Sequence, residues 1–221
     1  MPCARALLTT LFCVAPAAAE IRLLFTGDIL LSRGVRAQIE RAAGFPWEGL
    51  EELFRQADWV GGNLEGAVGS AQDCPASLGK LCFAIEPRLV ALLKKAGFHA
   101  LGLENNHSFD LGARGRETTR KVLSEAGITP VRYEDSPSFF RFGEVTVAVV
   151  SLCQVPSREG TPIPIPSAAL RQKLRLARRL ANLVVVSAHW GNEYQDWPSR
   201  RQRQGAEWLI RNGADLILGH H

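Results

Sequence analysis

The sequence predicts an α/β protein with a largely parallel sheet. Short apolar segments that fit β-strands alternate along the chain with segments whose apolar residues recur at helical spacing, which is the order expected when helices connect parallel strands. Two apolar segments, at 139–142 and 145–152, flank a Gly143-Glu144 turn and predict a β-hairpin, so the sheet should be mixed. The 221 residues, 46% of them hydrophobic, suffice for one domain with a substantial core.

The first half of the chain is predicted to begin with a strand and to continue through three helices. Gly44 ends the first helix, Pro46 and Trp47 open the second, and Pro87 lies in the first turn of the third, which ends at Gly97. The other predicted elements are a strand at 21–25, the first helix at 32–43, an extended segment at 58–60 and a loop at 67–82.

The second half repeats the alternation of strand and helix around the hairpin. Four prolines between 155 and 166 predict an extended loop rather than a helix. The other predicted elements are a strand at 99–103, helices at 113–126, 168–181 and 200–212, and strands at 183–186 and 215–218.

Residues 1–19 have the pattern of a secretory signal peptide. A head containing Arg5 precedes an apolar stretch at 6–14, and small residues at 17–19 suit cleavage. The apolar stretch is too short for a typical transmembrane helix, although an uncleaved membrane anchor is the alternative. We therefore expect an exported protein, located in the periplasm, outside the cell or at its surface.

Three cysteines remain if residues 1–19 are removed. An oxidising compartment favours a disulfide between Cys74 and Cys82, which would close a small loop. Cys153 ends an apolar strand and is expected to be a buried thiol.

The formal charge of +4 favours anionic partners without identifying them. The chain has no long basic run, so nucleic acid is not indicated as a partner.

Metal-binding side chains follow five of the apolar strands. Because parallel strands place their carboxyl ends at one edge of a sheet, these side chains should converge. They are Asp28, Asn63 with Glu65, Asn106 with His107, His189, and His220 with His221. The fifth histidine, His99, begins a strand and should be a packed or surface residue at the opposite edge.

Carboxylates, imidazoles and amide oxygens together suit zinc, manganese or iron. A pair of ions needs a bridging carboxylate, which either Asp28 or Glu65 could supply, and such a pair acts on phosphoryl groups. Asp28 is thereby a catalytic candidate as well as a ligand. An imidazole outside the ligand set could protonate the leaving oxygen, and His107 is the candidate because its neighbour Asn106 can serve as the ligand.

The motifs together resemble the CapA family of bacterial poly-γ-glutamate capsule proteins, which is similar to the calcineurin-like metallophosphoesterases. The resembling segments are Thr26-Gly27-Asp28 with Arg33, Gly62 to Glu65, Gly79-Lys80 with Phe83, Asn105-Asn106-His107 with Asp110 and Gly112, His189-Trp190-Gly191 with Glu193-Tyr194, Gly213-Ala214-Asp215, and Gly219-His220-His221.

The resemblance implies a layered sandwich of two mixed β-sheets flanked by helices, formed by a single domain at 20–221. It implies that Asp28, Glu65 with Asn63, Asn106, His189 and either His220 or His221 hold one or two divalent transition-metal ions, with His107 as general acid. The family's last motif continues beyond the Gly-His-His segment, so a C-terminal part of the domain is expected to be missing. The residues expected to hold an anionic substrate are Arg33, Lys80, Trp190, Glu193 and Tyr194, which could alternatively be ordinary surface or packing residues.

Two functions follow from the resemblance. The first is a metal-dependent hydrolase that cleaves a phosphoester, or an amide, in connection with poly-γ-glutamate or a similar anionic polymer. The second is a non-catalytic accessory protein that binds the polymer during synthesis or export. Two departures bear on the choice: Leu30 replaces the histidine of the Asp-x-His motif of metallophosphoesterases, and Ala84 replaces the arginine that usually follows the motif phenylalanine.

Overall fold

The computed structural model describes residues 20–42 and 45–221. The predicted signal peptide and the helix end at Gly44 lie outside the described residues. The strands are β1 (Leu23–Ile29), β2 (Trp59–Leu64), β3 (Ala67–Val68), β4 (Ala84–Ile85), β5 (Ala100–Gly102), β6 (Thr129–Val131), β7 (Ser138–Phe142), β8 (Val145–Cys153), β9 (Leu183–His189) and β10 (Leu216–His220). The helices are α1 (Arg33–Ala42), α2 (Glu51–Arg55), α3 (Val90–Ala96), α4 (Gly112–Glu125), α5 (Ala168–Leu180) and α6 (Arg200–Arg211).

Two four-stranded sheets form the centre of the molecule, which confirms the predicted layered α/β fold. The first has the order β1-β2-β5-β6 and is parallel throughout. The second has the order β10-β9-β8-β7, and only the β7–β8 hairpin in it is antiparallel. The second sheet is therefore mixed as expected, whereas the first is not.

Three apolar clusters hold the layers together. Between the sheets lie Trp59, Val147, Val149 and Val185, which are branched or aromatic residues suited to packed strand faces. On the outer face of the first sheet, buried residues of α2, α3 and α4 pack against the strands. On the outer face of the second sheet, α5 and α6 do the same. This layering buries both faces of each sheet, as parallel strands require.

The segment at 67–82, predicted as a loop, contains more structure than expected. Its strand β3 pairs in parallel with β4 to form a separate two-stranded sheet. Cys74 and Cys82 form the predicted disulfide within this segment, and Cys153 is the predicted buried thiol. Two- and three-residue strands such as β3, β4 and β6 carry too little periodicity to be recognised from sequence.

Other differences lie at the ends of elements. Strand β1 extends to Ile29, so that Asp28 lies within it rather than beyond it, next to an irregularity in its pairing with β2. Helix α2 covers only Glu51–Arg55 and is therefore shorter than the helix predicted to open at Pro46 and Trp47. In the described part of the chain, we find no helix with the length and apolar character needed to cross a membrane.

Candidate metal centre

The carboxyl ends of both sheets meet at one place in the molecule. In the first sheet Asp28 pairs in register with Asn63, and in the second His220 pairs with His189. The two pairs also reach each other across the sheets, because Asn63 Nδ2 lies 3.3 Å from His189 Nδ1. The predicted convergence is therefore present, although it joins two sheets rather than one.

Asp28 is the most connected side chain of this group. Its Oδ1 accepts a hydrogen bond from Asn63 Nδ2 at 2.6 Å, and its Oδ2 accepts one from the backbone N–H of His221 at 3.0 Å. The Nδ1 atoms of His220 and His189 lie 3.5 and 3.7 Å from Oδ1. Burial alone would raise the pKa of Asp28, but the nearby His189 ring and the hydrogen bonds from Asn63 and His221 outweigh it and hold the pKa well below its usual range. Asp28 is therefore ionised at neutral pH.

His189 lies between Asp28 on one side and Asn106 and Glu65 on the other. Only 1% of the residue is exposed, and burial lowers its pKa, so the ring is neutral at pH 7. Its Nε2 lies 2.7 Å from Asn106 Oδ1 and 3.9 Å from Glu65 Oε1. Burial and the nearby charge of Asp28 raise the pKa of Glu65 to about 7. Two carboxylates thus approach the same histidine, one near each of the ring's two nitrogens.

The donor set fits a divalent transition metal by its chemistry. Neutral imidazoles, carboxylates and amide oxygens are the ligands that such ions accept, and a cation would offset the repulsion that raises the pKa of Glu65. The side chains do not yet surround a common point: among residues 20–42 and 45–221, no three His, Cys, Asp or Glu side chains form a ready ligand group. They bond to one another instead. Residues able to hold an ion here are Asp28, Asn63, Glu65, Asn106, His189 and His220.

His107 lies beside this group and is held by its own partners. Its Nδ1 lies 2.8 Å from Oδ2 of the buried Asp110, and its ring stacks on Phe83 with centroids 3.6 Å apart. The same Asp110 oxygen accepts the backbone N–H of Phe83 at 2.7 Å. With Nδ1 on Asp110, the Nε2 atom of His107 is the one available for proton transfer.

Three residues of this arrangement had no site role assigned from the sequence. Asn105 donates from Nδ2 to the Leu64 carbonyl at 2.8 Å and to Asn63 Oδ1 at 3.2 Å. Asp110 and Phe83 fix His107. The signal for Asp110 was its spacing of three residues from His107, which suits contact within one turn.

The predicted substrate-binding residues have different surroundings. Trp190 is 7% exposed and packs in the core under α6, although it also lines the cleft beside Asp28. Tyr194 is 96% exposed. Glu193 Oε1 lies 3.8 Å from Nε2 of His221, whose Nδ1 lies 3.2 Å from the Gly191 carbonyl.

Arg33, Lys80 and His99 lie outside the candidate metal centre. Arg33 and Lys80 are exposed and line one cavity near Phe83. His99 lies away from the centre, where its Nδ1 accepts the backbone N–H of Val60 at 3.0 Å. His99 is exposed, which is the surface alternative that the sequence allowed.

Comparison with known proteins agrees with this fold. The family model described as "Bacterial capsule synthesis protein PGA_cap" matches residues 22–221. The PGA biosynthesis protein CapA of Bacillus subtilis (strain 168) is 29% identical over 212 residues, covering 89% of this chain and 56% of that protein. The capsule biosynthesis protein CapA of Bacillus anthracis is 27% identical over 222 residues, covering 91% and 54%. The chain thus spans about half the length of these relatives.

More distant relatives and solved structures extend the comparison. A probable polyglutamine synthesis accessory protein of Mycobacterium tuberculosis is 26% identical, covering 88% of this chain and 58% of that protein. A hypothetical protein from Thermus thermophilus has a TM-score of 0.57 at 19% identity, covering 91% of this chain and 68% of its own. A novel phosphatase from Mycoplasma pneumoniae also has a TM-score of 0.57, at 18% identity, covering 91% and 64%, and at this identity the likeness concerns the fold alone. With its family model matched over nearly the whole described length, the chain belongs to the PGA_cap family of bacterial capsule synthesis proteins.

Proposed function

We propose that the protein is an exported, metal-dependent hydrolase that acts on a phosphoester or amide bond in the synthesis of a polyglutamate capsule or a similar anionic polymer. The observation that carries the proposal is the meeting of Asp28, Glu65 and His189 beside the His107–Asp110 pair. Ligand-type side chains next to a held imidazole are what a hydrolytic site requires. The names of the relatives support the connection with capsule or polyglutamate synthesis.

The ligands for the metal would come from the ends of both sheets. Asp28 and Asn63 would supply oxygens from the first sheet, and His189 and His220 would supply nitrogens from the second. Glu65 is the second carboxylate, and either it or Asp28 could bridge two ions. A bound divalent ion would supply Lewis-acid activation of water and of the scissile group.

His107 would supply the proton for the leaving oxygen. When His107 is protonated, its Nδ1–H donates a hydrogen bond to Asp110 and its Nε2–H is free to donate to the substrate. Asp110 orients the imidazole through its hydrogen bond with Nδ1, and Phe83 restricts the ring to one plane by stacking on it. A positioned acid of this kind contributes about 10²-fold to 10⁴-fold to a hydrolysis rate.

A non-catalytic polymer-binding role is the second candidate. The favouring observation is that Asn63 Nδ2 bonds Asp28 and approaches His189, so the ligand groups satisfy one another without an ion. Leu30, in place of a histidine, removes one further donor. One relative carries the name of an accessory protein.

Metal-dependent turnover separates the two candidates. The full-length protein would be assayed with p-nitrophenyl phosphoesters and with a γ-glutamyl polymer in the presence of zinc, manganese or iron. We expect turnover in the wild type and in His99→Ala, a control that removes a histidine away from the centre, and a loss of at least about 100-fold in His107→Ala and His189→Ala. Polymer binding without turnover under every metal would refute the hydrolase and favour the accessory role.

A further inference from the structure

A cavity lies between the first turn of α1 and the disulfide-closed segment. Its lining includes Ser32, Arg33, Arg36, Lys80 and the Cys74–Cys82 bridge. The amino end of a ten-residue helix carries partial positive charge, and α1 has no acidic residue in its first turn to offset it. The cavity is therefore electrostatically suited to a negative group.

Ser32 provides an independent sign that this cavity takes a ligand. The residue is 2% exposed, and its hydroxyl has no hydrogen-bond partner within the described residues. A buried hydroxyl without a hydrogen-bond partner lowers the stability of the folded state. A ligand oxygen that accepted a hydrogen bond from this hydroxyl would remove that cost. Ser32 lies at the start of α1, where backbone N–H groups also favour a negative ligand, so its hydroxyl can donate to the same anion.

Two of the three cations that line the cavity are available for a ligand. Arg36 is neutralised by Glu40 and Glu86, whose oxygens lie 3.2 and 3.0 Å from it. Arg33 and Lys80, in contrast, make no ion pair with any carboxylate of the described part of the chain. The cavity therefore has uncompensated positive charge even though Glu40 also lines it.

The cavity is one side chain away from His107. The Arg33 guanidinium lies 5.3 Å from the centre of the Phe83 ring, and that ring stacks on His107 at 3.6 Å. Cys82 and Ala84, the neighbours of Phe83, line the cavity itself. The Phe83 ring thus contacts both Arg33 at the cavity and the imidazole of His107.

We propose that this cavity is an anion subsite, in which Ser32, Arg33 and Lys80 bind a second carboxylate or phosphate of a polyanionic ligand whose reacting group lies at the metal centre. The inference rests on the proposed function in that it places the reacting group beside His107. A second anion subsite would favour ligands with repeated negative charges over ligands with a single negative charge. Carboxylate and phosphate share the paired oxygens that a guanidinium binds.

Binding of two defined probes tests the subsite without requiring turnover. γ-Linked tetraglutamate and tripolyphosphate would be titrated calorimetrically into the full-length protein at low salt, and the probe whose binding depends on the cavity identifies the anion. We expect about tenfold weaker binding of that probe by Lys80→Gln and by Arg33→Gln, since a charge-assisted hydrogen bond is lost in each. Ser32→Ala should weaken it about threefold, and Lys80→Arg should retain most of it.

Two control variants match these changes. Ser151→Ala removes another buried, unpartnered hydroxyl, which lies between the two sheets facing Gly102. Arg175→Gln removes one exposed charge from α5, away from the cavity. Both should bind within about twofold of the wild type, because the interaction with a distant exposed charge is screened.

The subsite would be overturned if neither probe binds, if Lys80→Gln and Ser32→Ala bind as the wild type does, or if Arg175→Gln weakens binding as much as Lys80→Gln. Lys80 lies on an exposed turn, so its replacement should leave the melting temperature unchanged and the comparison does not depend on Arg33→Gln folding. A failure of the hydrolase proposal would appear differently, as absent turnover with the dependence of binding on Lys80 intact.

Discussion

The pairing of His107 with Asp110 allows one substitution to be worked out in detail. Asp110→Asn keeps the shape of the side chain but replaces a charged acceptor with a neutral one. One oxygen of Asp110 accepts two hydrogen bonds, from Phe83 N–H at 2.7 Å and from His107 Nδ1 at 2.8 Å, in a site that is 3% exposed. A hydrogen bond to a charged group contributes about 1 kcal/mol more than a neutral one. The free energy of unfolding should therefore fall by about 2 kcal/mol, two bonds being weakened.

The same substitution should affect turnover more than stability. Without the carboxylate, Nδ1 of His107 loses the charged acceptor that orients the ring for proton donation, and we expect turnover to fall by roughly 10²-fold or more. Urea denaturation measures the first effect, and turnover at saturating metal measures the second. Metal content should stay at the wild-type level, since Asp110 is not in the ligand set.

The exposed Asp73 provides the control, because Asp73→Asn changes the same charge without touching His107. It should leave both stability and turnover near wild type. Wild-type stability together with full turnover in Asp110→Asn would refute the role assigned to the pair, and loss of metal would mean that Asp110 belongs to the metal centre.

Three further outcomes are expected from measurements of stability. Glu104→Gln should cost about 2 kcal/mol in urea denaturation, because the buried guanidinium of Arg116 loses the carboxylate 2.5 Å away and keeps only the more exposed Glu134. Replacing Cys74 and Cys82 together by serine should cost about 2.5 kcal/mol in a thermal melt, the loop-entropy value for a separation of 8 residues. Glu65→Gln should stabilise the metal-free protein by about 3 kcal/mol at pH 8 and have little effect at pH 4. The reason is that a folded pKa of about 7, against 4.5 for an unperturbed carboxyl, makes ionisation above pH 4.5 increasingly costly to the folded state.

Each of these outcomes has its own control. Glu117→Gln removes an exposed partner of Arg120 and should leave the urea midpoint close to that of the wild type. In the presence of a reductant, the wild type should have the melting temperature of the double serine variant. A reductant that also lowered the melting temperature of the double serine variant would argue against the disulfide as the cause. Saturating metal should abolish the gain from Glu65→Gln, whereas a gain that persists with metal would show that Glu65 is no ligand.

The sequence predicted which residues converge because the signal lies in the strands themselves. Apolar segments before Asp28, His189 and His220 are long enough to be recognised, and parallel strands must share an edge. The sequence did not reveal that the edge is shared by two sheets, because periodicity reports which face of a strand is buried but not which strand pairs with which. The contact between Asn63 and His189 depends on that packing.

Residues that act through a loop were harder to predict. Phe83 reaches His107 only because the segment at 67–82 folds back through the β3–β4 pair and its disulfide. Its composition of small and polar residues indicated a loop and nothing about its path. Trp190 shows the opposite case, because its position in a motif suggested a substrate contact while much of its ring is used in packing.

The central claim is that the ends of the two sheets form a metal site, and metal content tests it most directly. Elemental analysis would compare the purified full-length wild type with Asp28→Ala, His189→Ala and the control His99→Ala. We expect near-stoichiometric zinc, manganese or iron in the wild type and the control, and its loss in the other two. A wild type that stays metal-free after reconstitution with all three ions would contradict the claim.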